Sequence, residues 1–155
     1  GPVISAAQRG RIESYIQAGA DEGAEIIVDG RRPSHMERGF YVAPTLIAGC
    51  RADMSPVQEE IFGPVVVVIP FDDEDEGIAI ANGTEFGLYD YVFSQDTDRA
   101  YRIARQLRSG NVGINSAQRN HEAPFGGFKM SGVGRDGGDF GMLCYTEMQS
   151  IIWPG

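Results

Sequence analysis

The sequence has no apolar run approaching the roughly 20 residues that a membrane-spanning helix needs. Nor does a basic-then-apolar segment open it, as a secretory signal would. Cysteine is scarce: Cys50 and Cys144 stand alone and far apart, which excludes a disulfide framework and a CxxC metal pattern. Basic residues are outnumbered, 13 Lys and Arg against 22 Asp and Glu, for a formal net charge of -9. Nucleic acid and anionic membrane surfaces are bound through clustered Lys and Arg, so neither is expected as a partner. Internal repeats, low-complexity tracts and clear linkers are also missing. An initiator Met is lacking too: Gly1-Pro2-Val3-Ile4 runs straight into a helical pattern. The expectation is a piece of a longer protein that works in a reducing, cytoplasmic setting, with no metal site of its own.

What is present is glycine, 21 of 155 residues, about twice the usual share, which calls for tight turns and close backbone approaches. Ser5 followed by Gln8 has the form of a capping box, and Ile12, Tyr15, Ile16 and Gly19 then fall on one helical face. Glu25 to Val28 reads as a short strand closed by Asp29-Gly30, and Phe40 to Ile47 as an extended stretch carrying Pro44. Val65 to Ile69 is the strongest strand; it is apolar on both faces, so a covered, parallel-type strand is predicted. Asp72 to Glu76 opens the next helix with acid against its dipole. Gly77 and Gly83 should loosen that helix by about 0.5–1 kcal/mol each relative to Ala. Tyr91 to Phe93 is a strand, Asp96 or Thr97 caps a helix with a face of Ala100, Ile103, Ala104 and Leu107, and Gly110 stops it. Asn111 to Asn115 and Ile151 to Trp153 complete the strands. Strands alternating with helices predict an α/β protein, a three-layer αβα arrangement around a mostly parallel sheet. Residues 118–141 are Gly-rich and aperiodic; a loop of that length in a compact domain is usually functional.

Four stretches, in order, carry a resemblance. Glu59-Glu60-Ile61-Phe62-Gly63-Pro64-Val65 precedes the strong strand, and Asn82-Gly83-Thr84-Glu85-Phe86-Gly87-Leu88 follows the acidic helix. Gly110-Asn111-Val112-Gly113-Ile114-Asn115 comes next, then Pro124-Phe125-Gly126-Gly127-Phe128-Lys129-Met130-Ser131-Gly132-Val133-Gly134-Arg135. Together they resemble the NAD(P)-dependent aldehyde dehydrogenase superfamily, in its C-terminal part, and cover nearly the whole chain. The resemblance implies that Glu60 binds the two hydroxyls of the nicotinamide-side ribose of NAD or NADP. A carboxylate offers two coplanar acceptor oxygens to a vicinal diol, and charged acceptors make the stronger bonds. It implies that Phe62 flanks the nicotinamide ring and that Phe125 lines the aldehyde pocket, with the loop holding Gln118, Arg119 and His121 shaping substrate choice. On sequence physics alone, Glu59 and Glu60 read as an exposed acidic turn and Phe62 as core. A lone His beside Glu122 is more often a surface pair than an acid/base couple, and the family does not use that position as its base.

The family's cysteine nucleophile, which forms a thiohemiacetal and then a thioester, matches neither Cys50 nor Cys144; both read as inert. The expectation is therefore that no catalytic residue lies in this chain, that the nucleophile lies upstream of Gly1, and that the chain alone is inactive. Gly132-Val133-Gly134-Arg135-Asp136-Gly137 fits G-x-G-x-x-G, but it follows a Gly-rich loop and fewer than the roughly 20 residues required of a dinucleotide fingerprint remain after it. Tyr89-Asp90 stands where relatives carry small residues. The resemblance divides the chain into residues 1–143, part of the catalytic domain, and 144–155, a tail that pairs with a partner subunit in a homo-oligomer, dimer or tetramer. Two other functions stay open: a non-catalytic oligomerisation or binding module, and a CoA-acylating semialdehyde dehydrogenase. Arg119 could pair with a substrate carboxylate; its bland alternative is a solvent-facing side chain.

Overall fold

A computed structural model describes residues 1–33, 36 and 38–155. The chain falls into two compact units, Gly1–Thr84 and Glu85–Gly155. Both mix helices with parallel and antiparallel strand pairs, so the α/β class holds. None of the described helices is long and apolar enough to cross a membrane.

The first unit opens with α1 (Ala6–Asp21), followed by β1 (Glu25–Val28), β2 (Thr45–Ala48), the single turn α2 (Ser55–Gln58), β3 (Val65–Val67) and α3 (Glu74–Asn82). Ser5 caps α1, its Oγ accepting the Gln8 N–H at 3.1 Å. The reciprocal half of the expected capping box is not made, because the Gln8 side chain is engaged elsewhere. Ile12 and Ile16 are fully buried and pack with Val42 against Ile26, Ile61 and Val65. At about 1.5–3 kcal/mol per buried aliphatic side chain, those two residues fix where the helix lies. The sheet order is β1-β2-β3, with β1 antiparallel and β3 parallel to β2.

Parallel pairing of β3 agrees with its sequence, but its covering does not. Val65 and Val67 face the core, whereas Val66 and Val68 are 58% and 44% exposed. β3 is an edge strand of the three-stranded sheet, and the face that carries these two side chains stays open in this unit. In α3, Asp73 accepts the Glu76 N–H at 2.9 Å and Glu76 accepts the Asp72 N–H at 2.7 Å, a reciprocal cap. Gly83 caps the end of α3 rather than sitting inside it, so its expected helix penalty does not apply. Gly77 is inside, and a Cβ there would come 3.1 Å from the Phe71 ring that lies over it.

The second unit contains β4 (Phe86–Gly87), β5 (Tyr89–Val92), α4 (Thr97–Ala104), β6 (Asn111–Ile114), β7 (Phe128–Lys129) and α5 (Gly138–Met142), with a 3-10 turn at Leu143–Tyr145. Asp96, not Thr97, caps α4, accepting the Arg99 N–H at 2.9 Å. β5 and β6 run parallel, and α4 covers one face of the pair through Ala100, Leu107, Val92 and Val112. The stretch expected to be an aperiodic loop is folded back on itself. β7 pairs with β4, and Phe125 and Asp136 exchange backbone hydrogen bonds at 2.6 and 2.7 Å. The expected last strand is not formed: Ile151, Ile152 and Trp153 lie in no regular element and are exposed, and no described strand pairs with them to complete a ladder.

Candidate cofactor turn and pocket wall

The acidic turn after α2 is built from both sides. Glu22 holds the start of α2, its carboxylate accepting the Ser55 N–H at 2.8 Å and the Ser55 hydroxyl as well. Glu59 ends α2, and Glu60, Ile61, Phe62 and Gly63 follow. Ile61 anchors the turn by packing against Ile12, Ile16 and Val42. Phe62 does the opposite of what a core aromatic does: it is 72% exposed, and its φ is +50°. A bulky residue in the left-handed region costs about 1–3 kcal/mol, and such strain persists only where the surroundings hold it.

Three side chains of α1 do the holding. Gln8 Nε2 donates to the carbonyls of Ile61 and Phe62 at 3.2 and 3.1 Å. One turn on, Arg11 donates to the carbonyl of Glu60 at 3.4 Å, and a turn further the Tyr15 hydroxyl donates to the Glu59 carboxylate. Gly63 lets the turn settle on the helix, since a Cβ there would lie 2.6 Å from Ile12 Cδ1. The result is an open groove of about 320 Å3 whose lining includes Pro56, Glu60, Phe62 and Val67. Glu60 is exposed at its edge, and no described residue donates a hydrogen bond to its carboxylate. An acceptor pair left free beside an exposed aromatic ring can bind a diol and cover a flat heterocycle. Sequence reasoning missed Gln8, Arg11 and Tyr15 as a set. Their spacing along one helix is the available signal, but in the sequence Gln8 reads as part of the cap and Tyr15 as part of one amphipathic face.

In the second unit, Phe125 is fixed by its backbone exchange with Asp136. The Arg119 guanidinium lies over the Phe125 ring, 3.7 Å from its centroid. Tyr89 approaches the same ring at 6.5 Å and donates its hydroxyl to the carbonyl of Gln118 at 3.3 Å. Tyr89 stacks on Tyr91 at 4.6 Å and Tyr91 on Phe93 at 6.4 Å, a row along the face of β5 that α4 leaves open. Gly113 makes room for it, since a Cβ there would meet the Tyr91 ring at 2.9 Å. Tyr89 is thereby accounted for; nothing in the structure explains Asp90. Arg135 donates to the carbonyls of Gly127 and Gly134 at 2.9 and 2.8 Å, closing the glycine-rich return. The structure thus gathers Arg119 and the Gln118 backbone around Phe125. His121 is exposed and makes no described side-chain contact, and Glu122 donates its backbone N–H to Asn120 instead of pairing with it. The G-x-G-x-x-G stretch is part of the return that pairs with Phe125.

Cys50 is buried, its Sγ 3.8 Å from the Ile47 carbonyl, and burial pushes its thiol pKa up. Cys144 is exposed. Thiolates are the reactive form, so a brief iodoacetamide treatment of the folded chain is expected to add one label, at Cys144, and a second only after denaturation. Mass spectrometry of the intact chain checks it; native labelling of Cys50 would show the buried site to be open.

A model of the aldehyde dehydrogenase family matches residues 1–151. A candidate aldehyde dehydrogenase of Staphylococcus saprophyticus is 43% identical over 152 residues, 97% of this chain and 32% of that protein. An aldehyde dehydrogenase of Mycobacterium tuberculosis, solved with NAD+, aligns with a TM-score of 0.96 at 42% identity, over 99% of this chain and 32% of its own. Betaine aldehyde dehydrogenase of Staphylococcus aureus, also solved with NAD+, gives 0.90 at 44% identity, over 94% of this chain and 29% of its own. The chain therefore spans about a third of the length of the curated relatives it matches, 32% in the one just given.

Proposed function

Because this chain belongs to the aldehyde dehydrogenase family, we propose that it is the C-terminal part of an enzyme that oxidises an aldehyde to a carboxylic acid with NAD or NADP. The observation that carries this is the strained, exposed Phe62 beside Glu60, whose carboxylate accepts no hydrogen bond from a described residue, in a turn that α1 holds in place. In this reading Glu60 takes both hydroxyls of the nicotinamide-side ribose, and Phe62 covers one face of the nicotinamide. The cofactor, when bound, supplies the hydride acceptor. Phe125 is a wall of the aldehyde pocket, and Gln118, Arg119 and His121 belong to the loop that selects the substrate. Residues 1–143 serve the catalytic domain. The tail, 144–155, exposes Ile151, Ile152 and Trp153 and pairs with a second subunit, which supplies the strand ladder it lacks here.

Neither cysteine here is the nucleophile. Cys50 is sealed in the core with its thiol pKa raised, and Cys144 opens the tail, exposed, with its Sγ 3.6 Å from the Arg135 carbonyl. The nucleophile belongs to a part of the enzyme outside these 155 residues. The test is an assay of the chain and of the whole enzyme, following formation of the reduced cofactor with an aldehyde. Turnover by the whole enzyme and none by the chain is expected. Cofactor reduction by the isolated chain would mean that the nucleophile is within it.

A further inference from the structure

We propose that Tyr15 is a positioning residue that sorts two adjacent carboxylates, drawing Glu59 aside so that Glu60 alone meets the cofactor; this rests on Glu60 being the ribose ligand. Neighbouring glutamates pose a problem in such a groove. Both are exposed, both line it beside Phe62, and of its described lining residues only these two are charged. A second free carboxylate would compete with Glu60 for the diol and repel the anionic pyrophosphate of a dinucleotide. The structure treats the two differently. The Glu59 carboxylate accepts a hydrogen bond from the Tyr15 hydroxyl at 2.5 Å, whereas that of Glu60 accepts none from a described residue.

The direction of the Tyr15 bond is set by its neighbours. An arginine only donates and an ionised carboxylate only accepts, so a phenol between them accepts from one and donates to the other. Arg11 Nη2 donates to the Tyr15 oxygen at 3.3 Å, which leaves the phenol proton to Glu59. Hydrogen bonds in series polarise one another, so Arg11 strengthens the bond that restrains Glu59. The same Nη2 donates to the Glu60 carbonyl at 3.4 Å, so one guanidinium holds the backbone of one glutamate and orients the partner of the other. Arg11 and Tyr15 lie one helical turn apart on α1, with the guanidinium 5.6 Å from the ring centroid. Tyr15 therefore acts through Glu59, with no contact to the cofactor required of it.

The test uses the whole enzyme and measures the Kd of the reduced cofactor by its nicotinamide fluorescence, with thermal midpoints to confirm that each variant is folded. Tyr15→Phe should raise Kd roughly tenfold, because the released Glu59 charge faces Glu60 and an anionic ligand. Glu59→Gln keeps an acceptor for the phenol and has no charge to release, so its Kd should stay within about twofold of the wild type. The double substitution should restore binding to within about threefold, since no charge remains to enter the groove and the two sites are coupled. If Tyr15 were only a prop, the double variant would bind as weakly as Tyr15→Phe or worse, and that result would overturn the proposal. So would a folded Tyr15→Phe enzyme with the wild-type Kd. Glu60→Gln separates the two layers: unchanged binding there would overturn the ribose reading itself, whatever the Tyr15 variants do.

Discussion

Replacing Glu60 by Gln in the whole enzyme is expected to raise the KM for the nicotinamide cofactor by roughly 100-fold, while the stability of the fold hardly changes. The carboxylate has two equivalent acceptors and a full charge, whereas the amide has one acceptor and a donor that must face a hydroxyl. Hydrogen bonds to charged groups contribute about 1.5–3 kcal/mol, against 0.5–1.5 for neutral ones. Losing the difference on two bonds amounts to about 2–3 kcal/mol, and 1.4 kcal/mol is a factor of ten. Stability should be spared because Glu60 is exposed and accepts nothing from a described side chain; its backbone carbonyl, held by Arg11, survives the substitution. NAD and NADP should suffer alike, since they differ only at the other ribose. The measurement is initial-rate kinetics at saturating aldehyde, with the urea midpoint as a control. A KM within twofold of the wild type, with the protein folded, would show that this carboxylate does not grip the cofactor.

How much of this could be read from residues alone differs from element to element. The helix Ala6–Asp21 was legible because its signals are local: Ser5 caps it, and Ile12 and Ile16 repeat at four. Gln8 was not. Its amide bonds carbonyls 53 and 54 positions away, and no local pattern shows which of two available acceptors a side chain will take. Val65 to Ile69 displays the limit of an apolar run. It marks a strand that pairs in parallel, but an unbroken run does not say whether both faces are covered, and Val66 and Val68 lie open. Phe62 was placed by resemblance alone, since an aromatic between Ile61 and Gly63 reads as core, and only the backbone reveals the positive φ that turns it outward. The final strand failed for a related reason: β-branched residues favour extended backbone, but a ladder needs a neighbour. Gly77 and Gly83 looked like the same defect in one helix; one accommodates a phenylalanine ring and the other terminates the helix.

Gly110→Ala should cost the fold about 3 kcal/mol or more, and it tests why the glycine-rich motifs have the form they do. As sequence, Gly110 is a helix stop, a role in which alanine would be a modest loss. The structure gives it a different duty. A Cβ at this position would lie 1.7 Å from the Gly126 carbonyl oxygen, 2.6 Å from its carbon and 3.1 Å from Gly127 Cα. All three are backbone atoms, so no side chain can swing aside. Those atoms are also tied down: Gly110 donates to the Gly87 carbonyl at 3.0 Å, and Asn111 donates to the Gly126 carbonyl at 3.0 Å. Relief requires pulling the 126–127 backbone away and breaking the Asn111 bond, so overpacking is compounded by a lost hydrogen bond. Gly10→Ala is the matched contrast, since its Cβ would meet nothing within 4 Å in the middle of Ala6–Asp21, where alanine is favoured by about 0.5–1 kcal/mol. With a urea slope of about 1–3 kcal/mol/M, the first substitution should lower the unfolding midpoint by at least about 1 M and the second should raise it slightly. Equal midpoints would mean that the backbone contact at Gly126 is not present in solution. Because Phe125 adjoins that contact, the proposed pocket wall would then lose the support that fixes its ring.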